Sequence, residues 1–168
     1  NFYHNSLHAA DVTASIVFLV HQGLGMCGSL VDVEIFALVV AALCHDIGHP
    51  GVNNAYLIAN RDPLALRYND QSVLEHMHAS KVFRILSQPA TNIIKMLSKP
   101  DFQKFRKIVI LSILSTDLQV HFDKLGEFKV QVSNKKTLDD DKFRMQALQI
   151  CLKCADIGHG AKLLDIHK

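Results

Sequence analysis

The sequence predicts an all-α fold, and three observations carry that prediction. Apolar residues recur three and four positions apart along almost the whole chain, the spacing of one face of a helix. Glycine and proline interrupt those stretches at a few places, among them Gly23, Pro50–Gly51, Pro100 and Gly158, where helices end or begin. Nearly half of the 168 residues are hydrophobic, enough for the core of one ordinary domain without disulfide or metal staples.

Residues 7–22, LHAADVTASIVFLVHQ, form the first expected helix. GLGMCGSL then breaks it. This stretch matches GxGxxG at Gly23, Gly25 and Gly28, but it follows a helix rather than a strand, so the dinucleotide-binding reading is set aside. A second helix runs over 31–45, through the apolar IFALVVAALC, and Pro50–Gly51 stop the chain beyond it. A loop with HPGVNN and NRDP follows. SVLEHMHASKVFRIL is a helix whose Ser72 and Glu75 fit a capping box. TNIIKML reads as a short helix, and Pro100–Asp101 open a long one, DFQKFRKIVILSILSTDLQVHF. DKLGEFKVQVSNKKT is helix or loop, although FKVQV alternates as a strand would. LDDDKFRMQALQICLKCADI is the last helix, with acids in its first turn, where they suit the helix dipole, and Gly158 and Gly160 at its end. There is no linker and no internal repeat, so residues 1–168 read as a single domain.

Composition excludes several function classes. A net charge of +2 with no basic stripe leaves no footprint for nucleic acid. Cys27, Cys44, Cys151 and Cys154 read as reduced core thiols, because the CxxC pair lies in an apolar helical run and has no second pair. No signal peptide is recognisable and the apolar runs are too short to span a bilayer, which fits a soluble, cytoplasmic chain. The first residue is Asn, and NFYHN reads as the interior of a domain, so a fragment is expected. The ten histidines are the anomaly, since imidazole is the commonest transition-metal ligand and the natural acid–base group near neutral pH.

Their placement sharpens it. His4 and His8 are four apart, one turn above the other if both are helical, and His45 and His49 repeat the spacing with Asp46 between. Glu75, His76 and His78 form a third group, and Asp117 with His121 a fourth. Asp156 ends an apolar helix, as Asp117 does, and a carboxylate there is costly unless paired or bound to a cation. Any one group has a bland reading as a solvated face or a satisfied core residue. Five in 168 residues point to one shared site built from helix ends. Mixed imidazole and carboxylate donors suit Zn²⁺, Mn²⁺ or Fe²⁺, leftover carboxylates with waters suit Mg²⁺ or Mn²⁺, and a metal pair is the usual device for hydrolysing phosphate esters.

The motifs YHNSLHAADV, HDIGHPGVNNAYL, YNDQSVLEHMH, STDLQVH and LKCADI stand in the same order as in class I cyclic nucleotide phosphodiesterases, and the chain resembles the metal-binding middle of that catalytic domain. The resemblance implies a truncated multi-helix bundle of the HD-domain type, with N- and C-terminal helices missing. It implies hydrolysis of cyclic AMP or cyclic GMP to the nucleoside 5′-monophosphate, in cyclic nucleotide signalling, with regulatory domains elsewhere in the full-length chain. It implies that His8, His45, Asp46 and Asp156 hold a first metal, Zn²⁺. Asp46 bridges to a second, Mg²⁺ or Mn²⁺, whose waters are ordered by His49, Glu75 and Asp117. By the same resemblance His4 is the general acid that protonates the departing 3′ oxygen, and Tyr3 and Asn54 are pocket residues.

Two departures accompany the resemblance. The family shows a His-His pair where this chain has Met77 and His78; Met77→His is therefore expected to be tolerated and to tighten the second metal site. The family's purine-gripping glutamine and aromatic clamp lie beyond LLDIHK, so the base is left open. Two rivals share some of these features: another HD-type phosphohydrolase such as a nucleotidase, and a non-catalytic phosphodiesterase-like binding domain. Against the latter stands the intact set His4, His8, His45, Asp46 and Asp156.

Overall fold

The structure, a computed structural model, describes residues 3–23 and 29–162. Its helices are α1 (Ser6–Phe18), α2 (Asp32–Cys44), α3 (Asn54–Ala59), α4 (Pro63–Arg67), α5 (Val73–Leu86), α6 (Lys99–Leu114), α7 (His121–Ser133) and α8 (Asp141–Ile157), and no strand occurs among the described residues. α1 runs on through a π-helical turn, Leu19–Gly23. The rest of the glycine-rich stretch, with Gly25, Cys27 and Gly28, lies outside the described residues.

α2 and α6 form the centre. α2 packs chiefly on α6 and α1, α6 also meets α5 and α8, and α1 closes against α8. The apolar IFALVVAALC run supplies Ala37, Leu38, Val40, Ala41 and Ala42 to the core, and the three alanines let a neighbouring helix approach closely. Facing them are Phe105, Ile108, Val109 and Ile113 of α6, Val12 and Ile16 of α1, and Leu148, Cys151 and Leu152 of α8. Each fully buried Leu, Ile or Phe contributes about 1.5–3 kcal/mol relative to exposure. This core holds the amino end of α1 and the carboxyl ends of α2 and α8 at one end of the bundle.

The helical reading needs local corrections. The loop after Pro50 holds two short helices, because Asn53 caps α3 by accepting from Tyr56 N, and Asp62 caps α4 with Pro63 at its first position. TNIIKML is not a helix: Pro89–Thr91 make a 3₁₀ turn and residues 93–96 are turns. The long helix stops at Leu114, where the Ser115 hydroxyl turns back onto Ser112 O; a 3₁₀ turn, Leu118–Val120, intervenes before α7. FKVQV lies wholly in α7, despite its alternation. Ser72 does not cap α5: its backbone is left-handed (φ 40°), and its hydroxyl donates to Asp117 Oδ2 at 2.7 Å. Of the described cysteines, Cys151 is buried, Cys44 is half-buried and Cys154 is exposed, so Cys154 is not a core thiol.

Met77 also reads differently in three dimensions. It is 5% exposed and packs with Leu57, Ala65, Val73 and Leu74 in a small apolar cluster beneath α3–α5. An imidazole there would lose those contacts and bury polar atoms in an apolar cluster. Met77→His should therefore destabilise the fold by roughly 1–3 kcal/mol. In a thermal melt the lowered midpoint should not be recovered by Mg²⁺; recovery would restore the original expectation.

Candidate metal centre

His8 sits in the first turn of α1, which is fixed by the Asn5 side chain accepting from Leu7 N and His8 N. His4 therefore precedes the helix instead of lying on its face. It reaches the same place by stacking on His49, ring centroids 3.7 Å apart and planes 7° apart. His45 caps the carboxyl end of α2, its Nδ1 donating to Ala42 O one turn back at 2.9 Å. A backbone carbonyl can only accept, so this bond leaves the Nε2 lone pair of neutral His45 facing outward. The chain then turns over 45–48, with Gly48 at φ +70°, and Asp46 comes round beside His45. Asp156 arrives from the last turn of α8.

Four residues from three helix ends thus converge. His8 Nε2 is 3.2 Å from His45 Nε2, 3.1 Å from Asp156 Oδ1 and 3.6 Å from Asp46 Oδ2. His45 Nε2 is 3.2 Å from both Asp46 Oδ2 and Asp156 Oδ1. Donors arranged tetrahedrally about an ion at about 2.0–2.2 Å would be about 3.3–3.6 Å apart, so this spacing fits a metal. His8, His45, Asp46 and Asp156 form one group able to hold an ion, and His4, Asp46 and His49 form another, with Asp46 shared.

Electrostatics point the same way. Burial alone would depress His45, but its hydrogen bonds to Asp156 and Asp46 outweigh this and raise it to about 10. Burial would raise Asp156, yet His45 and His8 hold it well below the usual carboxylate range; Asp46 is lowered in the same way, mainly by His45. Two carboxylates here demand positive charge. Glu75 is raised, by burial first and then by Asp117 and Asp46, despite the bond from Asn54. His4 and His49 are both lowered by burial, and each is lowered further by neighbouring imidazoles.

Above the group lies a cleft of about 700 Å³. It is lined by Tyr3, His4, Asp46, His49, Asn54, Glu75, Asp117 and Asp156 among others, with buried His45 and His8 beneath. The structure therefore brings all ten expected residues to one place. Asn54 lines the cleft and also braces it: its Oδ1 accepts from Leu74 N and its Nδ2 donates to Glu75 Oε2, both at 2.9 Å, which ties α3 to α5. The Tyr3 hydroxyl lies 3.2 Å from His159 Nδ1. His76 is elsewhere, stacked on Tyr68, and His121 opens α7 against Phe122.

Three groups at the site lay outside the expected set. His159 lines the cleft. His78 is buried, its Nδ1 donates to Ile47 O, and burial lowers it to about 4, so it is neutral. Its Nε2 lone pair, with no hydrogen-bond partner, faces Asp46 Oδ1 at 3.8 Å. Lys153 is buried beside Asp117. The second histidine of EHMH was the available signal for His78; for Lys153 it was a polar stripe, Gln146, Gln149, Lys153 and Asp156, on one face of α8.

Comparison with known proteins accords with this geometry. The family profile described as 3'5'-cyclic nucleotide phosphodiesterase matches residues 3–168. The mouse (Mus musculus) dual specificity calcium/calmodulin-dependent 3',5'-cyclic nucleotide phosphodiesterase 1C is 38% identical over 99% of this chain, which corresponds to 23% of that protein. The bovine (Bos taurus) 1B enzyme is likewise 38% identical over 99% of this chain and 30% of its own length. The chain thus spans under a third of these relatives. The phosphodiesterase domain of the RhoPDE fusion protein from the choanoflagellate Salpingoeca rosetta superposes with a TM-score of 0.91 at 31% identity, over 99% of this chain and 53% of that one. With a matching profile from Tyr3 to the last residue and a shared fold around the His–Asp cluster, the chain belongs to the 3',5'-cyclic nucleotide phosphodiesterase family.

Proposed function

We propose that this chain carries the metal-binding section of an enzyme that hydrolyses 3′,5′-cyclic nucleotides, both cyclic AMP and cyclic GMP, to nucleoside 5′-monophosphates. The observation that supports it best is the convergence of His8, His45, Asp46 and Asp156 on the floor of a cleft walled by His4, His49, Glu75 and Asp117. The two dual-specificity relatives favour a substrate range that includes both bases. Residues 1–168 are one section of a larger catalytic domain, since the choanoflagellate domain is about twice as long. Regulatory domains lie elsewhere in the full-length protein, in keeping with the share of the relatives that is matched.

The donor set suits Zn²⁺ at the His₂Asp₂ group, and Mg²⁺ or Mn²⁺ beside Asp46, where the wall is oxygen-rich and water-accommodating. When bound, the ion pair supplies positive charge for the phosphoryl oxygens and acidifies a water toward neutral pH. The protein does the rest. Water oxygen bonds to phosphorus as the P–O3′ bond breaks, and a proton must reach O3′. His4 stands at the cleft with Nε2 3.9 Å from Asp46 Oδ2, and a bound phosphate diester raises its protonated fraction by charge attraction. Stacking on His49 fixes the ring plane, so the proton is held in one direction. Glu75, steadied by Asn54, and Asp117, steadied by Ser72, present oxygen acceptors that orient water in the cleft.

His4→Ala in the full-length protein should keep both ions by metal analysis and slow hydrolysis by about 10²–10⁴-fold. Asp156→Ala should lose the tight ion and nearly all turnover together. Parental rates in either variant would overturn the corresponding role.

Ion removal should also change the pH dependence of stability. In the ion-free protein His45 is raised from 6.5 to about 10. Its stabilising contribution is complete below the unfolded value and is lost as pH rises through the folded one. Chelated protein should melt progressively lower between pH 6.5 and 10, whereas Zn²⁺-loaded protein, in which the ion replaces the proton, should fall less. Equal slopes for the two forms would argue against metal binding by His45.

A further inference from the structure

Lys153 is a lysine on the core side of α8, 3% exposed, flanked along the helix by buried Gln149, Cys151, Leu152 and Ala155. Burying an ammonium is costly unless its donors are satisfied and its charge is balanced. Two of its three donors are satisfied at one place. Nζ donates to Ser115 O at 2.7 Å and to Asp117 O at 3.0 Å. Ser115 is the cap residue at the carboxyl end of α6, where helix carbonyls lack intrahelical partners and the dipole favours a cation. Burial lowers the Lys153 pKa, and the nearby carboxylates of Asp156, Asp117 and Glu75 offset this only in part.

The segment so gripped, Ser115–Asp117, is the one that breaks the long helix and delivers Asp117 to the cleft. Further ties act on it. Ser115 Oγ contacts Gln149 O on α8 at 3.3 Å, Ser72 Oγ donates to Asp117 Oδ2, and Asp117 Oδ1 accepts from Gln119 N at 2.9 Å. Lys153 lies one turn before Asp156 on the same helix. α8 therefore holds Asp156 on one side of the cleft and, through Lys153, the Asp117 backbone on the other.

We propose that Lys153 is a positioning residue for the second cation site, setting the Asp117 wall against Asp156 by bonding the Ser115 and Asp117 carbonyls. The proposal rests on the metal-dependent reading above. It gives Lys153 no contact with substrate; the ammonium acts only through Asp117.

The test uses full-length protein with Zn²⁺ already bound and titrates Mn²⁺, followed by electron paramagnetic resonance. Lys153→Met should weaken Mn²⁺ binding by roughly 10- to 100-fold, the usual effect of removing an outer-shell partner, while the tight Zn²⁺ stoichiometry is kept. The amide of Gln119 should exchange with solvent faster. In an Asp117→Asn background the same change should add little, because both act on one element. Parental Mn²⁺ affinity in K153M, or full additivity with D117N, would overturn the proposal. Loss of both ions together would also overturn it, since that marks a general structural role. If K153M does not melt cooperatively, Lys153→Gln, which keeps a donor, is read by the same criteria; failure of both to fold would make Lys153 a core residue and end the proposal. A parent protein that binds Mn²⁺ but leaves cyclic AMP and cyclic GMP intact would overturn the reaction and not the role of Lys153. A K153M protein with active turnover and parental Mn²⁺ affinity does the reverse.

Discussion

Asp46 and Asp156 reach the same buried imidazole, His45 Nε2, each at 3.2 Å. Like charges this close repel strongly where water is sparse, so they can coexist only with positive charge between them. That requirement organises the molecule. His8, 148 residues from Asp156 in sequence, must arrive from a different helix, and so α1, α2 and α8 must end together. The apolar core is what makes them do so. Val12 and Ile16, Leu38 and Ala41, Leu148 and Leu152 interlock a short distance behind the charged groups, and a close-packed interior transmits small displacements rather than absorbing them.

The wall around Asp46 is built differently. Where the floor relies on direct convergence, the wall relies on polar ties between elements: Asn54 to Glu75, Ser72 to Asp117, His78 to the Ile47 carbonyl, Lys153 to the end of α6. Each tie spends one side chain to aim another. Such residues are easily mistaken for either pocket or core. Asn54 lines the cleft yet has both amide atoms committed, and Ser72 sits where a helix cap belongs yet bonds a distant carboxylate.

The legible parts of the sequence were those governed by period and type. The all-α fold followed from three- and four-residue spacing, and the site from His and Asp at helix ends. What escaped was decided by tertiary contact. FKVQV alternates, but α7 packs against α8 through Phe128 on Phe143, and that context overrides local preference. The break after Leu114 has no proline or glycine to announce it; it is stabilised by Ser115 hydroxyl and Lys153 ammonium bonds that come from the fold. His4 looked helical beside His8 until Asn5 took the cap. Met77 looked like a missing ligand partner until its apolar neighbours were visible.

The left-handed turn at Gly48 has a consequence for how the family can vary here. A Cβ at this position would meet first the flexible end of Lys81, whose Nζ lies 3.3 Å from Gly48 O and can swing aside. Lys81 belongs to α5, the helix that also carries Glu75 and His78. What holds residue 48 to glycine is therefore its φ of +70°, which strains any L side chain, and not a shortage of room. An L side chain there would pull the backbone toward negative φ, and the first thing to unwind would be the turn that swings Asp46 round beside His45.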